Sequence, residues 1–181
     1  MPLIRRSRSR RANRGRRVVL PDTLGALRAG IHANIPVLLW GAPGTSKSAM
    51  LTALAAKDGA HLETQVAGRM DPTDLGLLFP FEKGDKAWLR TVPPDWLVRL
   101  GDALKGQGTH HDGSRRTKPQ AAWLFLDELT TATPAVLAGL LRLVQERAAG
   151  GLRLPELRIV AAANPPSQAA GAAMGLDAAS S

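Results

Sequence analysis

From residue 18 onward, short apolar runs alternate with segments whose apolar residues recur every three or four positions, the order of a layered α/β domain. DTLGALRAGIHAN (22–34) places Leu24, Leu27 and Ile31 on one helical stripe, with Asp22 available as a cap. IPVLLW (35–40) is continuously apolar, which predicts a strand covered on both faces. A glycine-rich turn follows, and SAMLTALAAKDG (48–59) favours helix as far as Gly59. HLETQV (61–66) suits a second strand. LLFPFEKGDKAWLRTVP (77–93) has two short apolar segments around a Lys-Gly-Asp turn, the pattern of a hairpin.

PDWLVRLGDAL (94–104) predicts a short helix after Pro94, and the polar, glycine-rich stretch from Lys105 to Pro119 an exposed mobile loop. AWLFLDE (122–128) is the clearest internal strand, five apolar positions leading into two acids. In TPAVLAGLLRLVQER (133–147) Val136, Leu137, Leu140, Leu141 and Val144 share a helical face. LRIVAAANPP (157–166) supplies another buried strand that ends at a polar residue and two prolines. From Ser167 no comparable periodicity remains.

The length of 181 residues suits one domain with a sizeable core, and without cysteine the chain has neither disulfides nor a thiolate-metal scaffold. Its net charge of +9 is uneven. Residues 1–17 hold eight arginines and no acid, leaving +1 over residues 18–181. The basic run reads as a solvated, disordered tail; the other reading is a polyanion contact, although it lacks interleaved aromatics. It has no secretory apolar stretch, and no segment has the ~20 apolar residues of a membrane span, so a cytoplasmic protein is expected.

Candidate chemistry gathers at strand ends. Gly41, Ala42, Pro43, Gly44, Thr45, Ser46, Lys47 and Ser48 form the turn from strand 35–40 into helix 48–59. Amides of such a turn can face phosphates, with Lys47 reaching the terminal ones and the Ser48 hydroxyl on Mg²⁺. Ser46 departs from the strict G-x-x-x-x-G-K-[ST] pattern by standing at the second glycine. A serine preserves the turn if its φ stays negative and costs about 1 kcal/mol if it is left-handed. The bland alternative is an ordinary β-to-α connection.

Asp127 and Glu128 close a buried strand, where an unpaired acid pair would be costly. Asp127 can hold the metal with Ser48, and Glu128 can orient or deprotonate a water attacking a γ-phosphate. Alternatively both cap the helix starting near Thr133 or face solvent. Asn164 ends the next strand and can sense a γ-phosphate, or merely form a turn before proline. His110 and His111 lie in the polar loop, while His32 and His61 are in unrelated elements; this predicts exposed loop histidines and no metal centre. Serine-hydrolase elbow, dinucleotide fingerprint and H-E-x-x-H motifs are missing.

Together, WGAPGTSKS, DPTDLGLL, LFLDELTTATPAVLAGLLRLVQER and LRIVAAANPP resemble the AAA+ ATPases, especially their MoxR and dynein-related branch, over about residues 20–170. The resemblance implies an α/β fold with a P-loop NTPase-type parallel sheet. Residues 1–17 would be a basic tail, 18–170 a partial nucleotide-binding core and 171–181 a divergent C-terminus. It further implies ATP and Mg²⁺ as cofactors, Gly41–Ser48 as phosphate loop, Asp127 and Glu128 as metal-binding and catalytic acids, and Asn164 as first sensor. The hairpin at 77–93 resembles the family's insertion in its second helical region.

Ring assembly, often hexameric, and ATP-driven protein remodelling or cofactor insertion are implied too, with a von Willebrand factor A-type protein as partner. After the Asn-Pro-Pro segment the expected fifth strand, arginine finger, second sensor and lid are missing from the sequence. In the family order 5-1-4-3-2 this would leave strand 35–40 at an edge, and isolated residues 1–181 would be weak or inactive as an ATPase. A nonhydrolytic nucleotide-binding or assembly module, and a nucleic-acid-associated switch using the basic tail, are the competing readings.

Overall fold

A computed structural model of the chain describes residues 22–42 and 44–164. The readings made for the basic tail, for Pro43 and for everything after Asn164 lie outside the described residues.

Helix α1 (Thr23–His32) starts where Asp22 accepts a hydrogen bond from the Gly25 amide, satisfying one orphan donor of the first turn. Strand β1 (Val37–Trp40) leads through the glycine-rich turn into α2 (Lys47–Lys57), and β2 (His61–Val66) follows. Two 3₁₀ turns (Ala67–Arg69 and Pro72–Leu75) precede the hairpin β3 (Leu77–Lys83) and β4 (Lys86–Val92). Next come α3 (Asp95–Lys105), β5 (Ala122–Asp127), a 3₁₀ turn (Leu129–Thr131) and α4 (Pro134–Glu146). The two-residue strands β6 (Ala148–Ala149) and β7 (Leu152–Arg153) form a tight ribbon before β8 (Arg158–Ala163).

The main sheet is parallel, with strand order β1-β8-β5-β2. Side-chain alternation along β5 builds two cores at once. Trp123 and Phe125, with Val160 and Ala162 of β8, face Leu27 and Ile31 of α1 and Leu51 and Leu54 of α2. Leu124 and Leu126, with Ile159 and Ala161, face Leu97 and Leu100 of α3 and Val136, Leu140 and Leu143 of α4. Helices thus cover both faces of a parallel sheet, a P-loop NTPase-like architecture. All parallel strands point their C-terminal ends the same way, so the tips of β1, β5 and β8 meet at one rim.

Several expectations need correction. Leu24, on the expected apolar stripe of α1, is exposed, and only Leu27 and Ile31 of that trio are buried. On α4 the buried face is Val136, Leu140 and Leu143, whereas Leu141 is exposed; the helix meets the sheet along a narrower line than its composition suggests. Among the described residues, strand β1 is not covered on both faces and is an edge strand, with Leu38 and Trp40 exposed and Val37 and Leu39 turned toward the α1–α2 core. Residues 105–119 do not form a wholly exposed loop, because Arg116 is 3% exposed and a bridge joins Thr109 to Arg115.

Candidate functional site: the rim of the parallel sheet

The phosphate-loop segment leaves β1 under tight local control. The Gly41 amide donates to the Ala163 carbonyl at 3.2 Å, tying the start of the loop to the last residue of β8. Gly44 takes φ +77° and Ser46 takes φ 57°, ψ 25°, so the loop curls through two left-handed residues before α2 begins. Of the two conformations left open for Ser46, the left-handed one is therefore the one it adopts. The turn demands the conformation that a glycine adopts without cost, and a serine supplies it under strain. No side-chain cap bond from Ser46 offsets that strain.

An α-helix leaves its first amides without intrahelical partners and carries a partial positive charge there. At α2, whose N-cap side chain does not serve them, those amides remain available to an anion. The Lys47 ammonium sits inside the curl, donating to the carbonyls of Gly41 at 2.9 Å and Ala42 at 3.0 Å and approaching Thr45 Oγ1 at 3.4 Å. A half-buried cation is thereby held where a phosphate on the loop would lie, and the two carbonyls are partners it can exchange for phosphate oxygens.

Across the rim, the Ser48 hydroxyl donates to Asp127 Oδ2 at 2.9 Å, joining the first turn of α2 to the tip of β5, 79 residues later. The other Asp127 oxygen accepts the Glu128 amide at 2.9 Å, which fixes the rotation of the carboxylate. A hydroxyl and a carboxylate that meet in this way are hard oxygen donors, the set that suits Mg²⁺.

Glu128 is exposed and stands in the left-handed region at φ 53°, ψ 41°, where the chain turns off β5, whereas the Asp127 carboxylate is held by Ser48 and the Glu128 amide. The alternative in which these acids cap α4 fails, because the cap is Thr133, whose hydroxyl accepts from the Val136 amide.

Asn164 follows the last residue of β8, and its amide donates to Thr130 Oγ1 at 3.4 Å, which places its backbone beside the turn after Glu128. That turn is held from behind. Thr131 donates to the Glu128 carbonyl at 2.8 Å, and Gly68 approaches so closely that a Cβ there would meet Thr131 Oγ1 at 2.1 Å. Lys47, Ser48, Asp127, Glu128 and Asn164, dispersed over 118 positions, thus converge on one rim.

A second cluster, at the other end of β2, was hidden in the sequence. His61 and Glu63 alternate onto the same face of the strand and are both buried, with His61 Nε2 2.9 Å from Glu63 Oε1. Arg99 of α3 makes a two-pronged pair with Glu63, at 2.8 and 3.0 Å, and Arg116 approaches His61 Nδ1 at 2.8 Å. Burial pushes the Glu63 carboxyl up, but hydrogen bonds from His61 and Arg99, with the Arg99 charge, outweigh it and hold the group at about 2 against an ordinary 4.5.

His111 stacks on His61 with ring centroids 4.8 Å apart, so the histidines expected to be unrelated are neighbours. Ligand atoms of His61, Glu63 and His111 lie within 4.8 Å of one another, yet the set does not suit a cation. A guanidinium can only donate, so His61 Nδ1 accepts from Arg116 and Nε2 carries the proton given to Glu63; neither ring nitrogen keeps a free lone pair. The cluster instead clasps α3 and residues 106–116 to the edge of the sheet. The only hint in the sequence is an acid and a histidine two apart in a short strand.

Comparison with known proteins was made against families, curated proteins and solved structures. A family described as AAA domain (dynein-related subfamily) matches residues 36–179. No curated protein matches. Similar solved structures include a candidate ATPase from Cytophaga hutchinsonii, 21% identical, with a TM-score of 0.43 over 80% of this chain and 38% of that one. Another is NtrX from Brucella abortus, 15% identical, with a TM-score of 0.41 over 83% of this chain and 32% of that one. The chain therefore spans well under half the length of either structure.

Proposed function

The chain belongs to the dynein-related subfamily of AAA domains, and from that premise we propose that its sheet rim binds ATP with Mg²⁺ and hydrolyses it. The carrying observation is the 2.9 Å bond from Ser48, the residue after Lys47, to Asp127, which ties the glycine-rich turn to an acid at the tip of another strand.

In this reading Gly41, Ala42, Pro43, Gly44, Thr45 and Ser46 wrap the phosphates with backbone amides, and Lys47 contacts the terminal ones. Ser48 and Asp127 hold Mg²⁺, which supplies neutralisation of charge on the phosphate oxygens. Glu128 orients and deprotonates the attacking water, and Asn164 positions that water from the neighbouring strand. The different settings of the two acids support this division of labour, Asp127 being bonded to Ser48 while Glu128 is exposed, since one acid needs to face the metal and the other the water.

The finer reading is a cytoplasmic AAA+ protein of the MoxR type, assembled as a ring, possessing remodelling or cofactor-insertion activity toward a von Willebrand factor A-type client. An arginine from a neighbouring copy would then complete the charge balance, and turnover by isolated chains would be weak. A second reading, a nonhydrolytic nucleotide-binding module, is favoured by the strained Ser46.

Titration with a fluorescent ATP analogue, followed by single-turnover hydrolysis, separates these readings. Lys47→Ala is expected to abolish Mg²⁺-dependent binding, and Glu128→Gln to retain binding while stopping phosphate release. Binding that survives Lys47→Ala refutes a nucleotide site at this rim, while binding without any Glu128-dependent release selects the nonhydrolytic module.

A further inference from the structure

The hairpin β3–β4 spends its apolar residues on neither core. All fourteen residues of its two strands are exposed, including Leu77, Leu78, Phe79, Phe81, Trp88, Leu89 and Val92. Burial cannot be why these side chains are here, and a contiguous apolar surface of this kind marks an interaction site. Its base is firmly seated: a Cβ on Gly76 would meet the Gly150 Cα at 2.7 Å, and one on Gly150 would meet the Pro93 Cα at 2.5 Å. An isolated two-stranded ribbon is marginal in water, so this anchoring to the β6–β7 turn is what lets it project.

The register sorts its side chains into two unlike faces. Residues directly opposite share a face, so Leu77, Phe79, Phe81 and Lys83 lie with Val92, Arg90, Trp88 and Lys86. Leu78, Pro80 and Glu82 lie on the other side with Thr91, Leu89 and Ala87. The first face thus carries every aromatic residue and every cation of the two strands, and no acid. Phe81 and Trp88 form a tilted pair with centroids 5.0 Å apart. The Lys83–Lys86 pair lies on the tip side of these rings and the Phe79–Arg90 pair on the base side.

We propose that this face of the hairpin is a docking surface for single-stranded nucleic acid. Exposed rings stack on bases, whose faces a duplex would hide, and cations on either side of the rings pair with the phosphates running past them. Two stacking positions on one strand, Phe79 and Phe81, are about 7 Å apart along the sheet, far enough for separate bases. Charge complementarity selects the occupant. An apolar peptide would leave Lys83, Lys86 and Arg90 without partners, whereas a phosphate backbone answers all three. The eight arginines of residues 1–17 add polyanion affinity to the same chain without aromatic partners of their own. The surface is separate from the sheet rim and does not depend on what that rim does.

The test uses the full chain and a fluorescein-labelled oligothymidylate of about 20 nucleotides, longer than the roughly 4–16-nucleotide sites of single-strand binders, followed by anisotropy. Phe81→Ala with Trp88→Ala is expected to weaken binding about tenfold or more. Lys83→Gln with Lys86→Gln should flatten the logarithmic salt slope by about 1.4. Leu78→Ala with Leu89→Ala, on the opposite face, should leave affinity unchanged, and a duplex of equal length should compete poorly.

Equal weakening by both face variants overturns the proposal, as does binding lost on deletion of residues 1–17 but indifferent to every hairpin variant. Competition by polyglutamate as effective as by the oligonucleotide overturns it in favour of an acidic peptide. Self-association of the free chain that disappears in the Phe81→Ala, Trp88→Ala variant, with no oligonucleotide bound by the parent, overturns it in favour of a second copy. Should the aromatic double variant fail to fold, the lysine pair decides through the salt slope.

Discussion

Replacing Ser46 by glycine should stabilise the protein, against the usual direction of glycine substitutions. Ser46 sits at φ 57°, ψ 25°, where an L-residue with a Cβ loses about 1–2 kcal/mol. Glycine removes that strain but gains freedom in the unfolded chain, which takes back about 0.5–1 kcal/mol. The Ser46 side chain makes no cap bond with α2, so no cap interaction is lost with it. The balance is a gain of about 0.5–1 kcal/mol.

For a chain of 181 residues this is a rise of about 1–4 °C in melting temperature, measurable by following the four tryptophans on heating. Ser46→Ala, which keeps the strain, should stay within about 0.5 kcal/mol of the parent, and Ser46→Val should lose more than about 1 kcal/mol because β-branched residues tolerate this conformation least. If glycine destabilises, or alanine costs more than about 1 kcal/mol, then the hydroxyl holds the turn and the strain argument is wrong.

Acid should expose the second cluster. The Glu63 carboxyl is depressed from 4.5 to about 2, so its contribution is complete above about pH 4.5 and is lost as pH falls through about 2. With Arg99 half exposed and its charge partly screened, the contribution is about 2–3 kcal/mol. Urea unfolding of Glu63→Gln should show a loss of that size at pH 7 and a flatter acid limb; an acid limb identical to the parent's would refute the assignment. Gly68→Ala should push Thr131 from the Glu128 carbonyl and cost about 1–3 kcal/mol, with Thr131→Ala restoring most of it in the double variant. Additive losses in that double variant would show that the two residues do not press on each other. Lys47→Met should leave the stability of the nucleotide-free protein within about 1 kcal/mol of the parent while removing any rise in melting temperature on adding ATP with Mg²⁺, measured in the same heating assay.

Local chemistry made most of the parallel core legible in the sequence. Strand β5 is apolar for five positions and then acidic, and that pattern alone gave both its burial and the place where it stops. The cap of α1 behaved likewise: Asp22 stands before a periodic apolar segment and accepts the amide that such a residue accepts, whereas the Thr133 cap of α4 emerged only in the structure. Periodicity did not reveal which apolar positions would be left out. Leu24 and Leu141 repeat correctly along their helices but fall off the line of contact with the sheet, and Leu38 lies in a continuously apolar run on a strand that, among the described residues, has a neighbour on one side only.

The sequence by itself determined the strand–turn–helix unit around Lys47, the acid pair ending β5 and the hairpin's turn, because each depends on neighbours a few residues apart. Tertiary structure decided which of these meet. The pairing of β1 with β8 and of β8 with β5 brings Gly41, Asp127 and Asn164 to one rim. The backbone path imposed a left-handed Ser46, and the packing of α3 and residues 106–116 against β2 made His61, Glu63, Arg99 and Arg116 one charged clasp. Contacts between residues far apart in the chain depend on strand order and register, and those are set by how all the apolar faces are buried together rather than by any single segment.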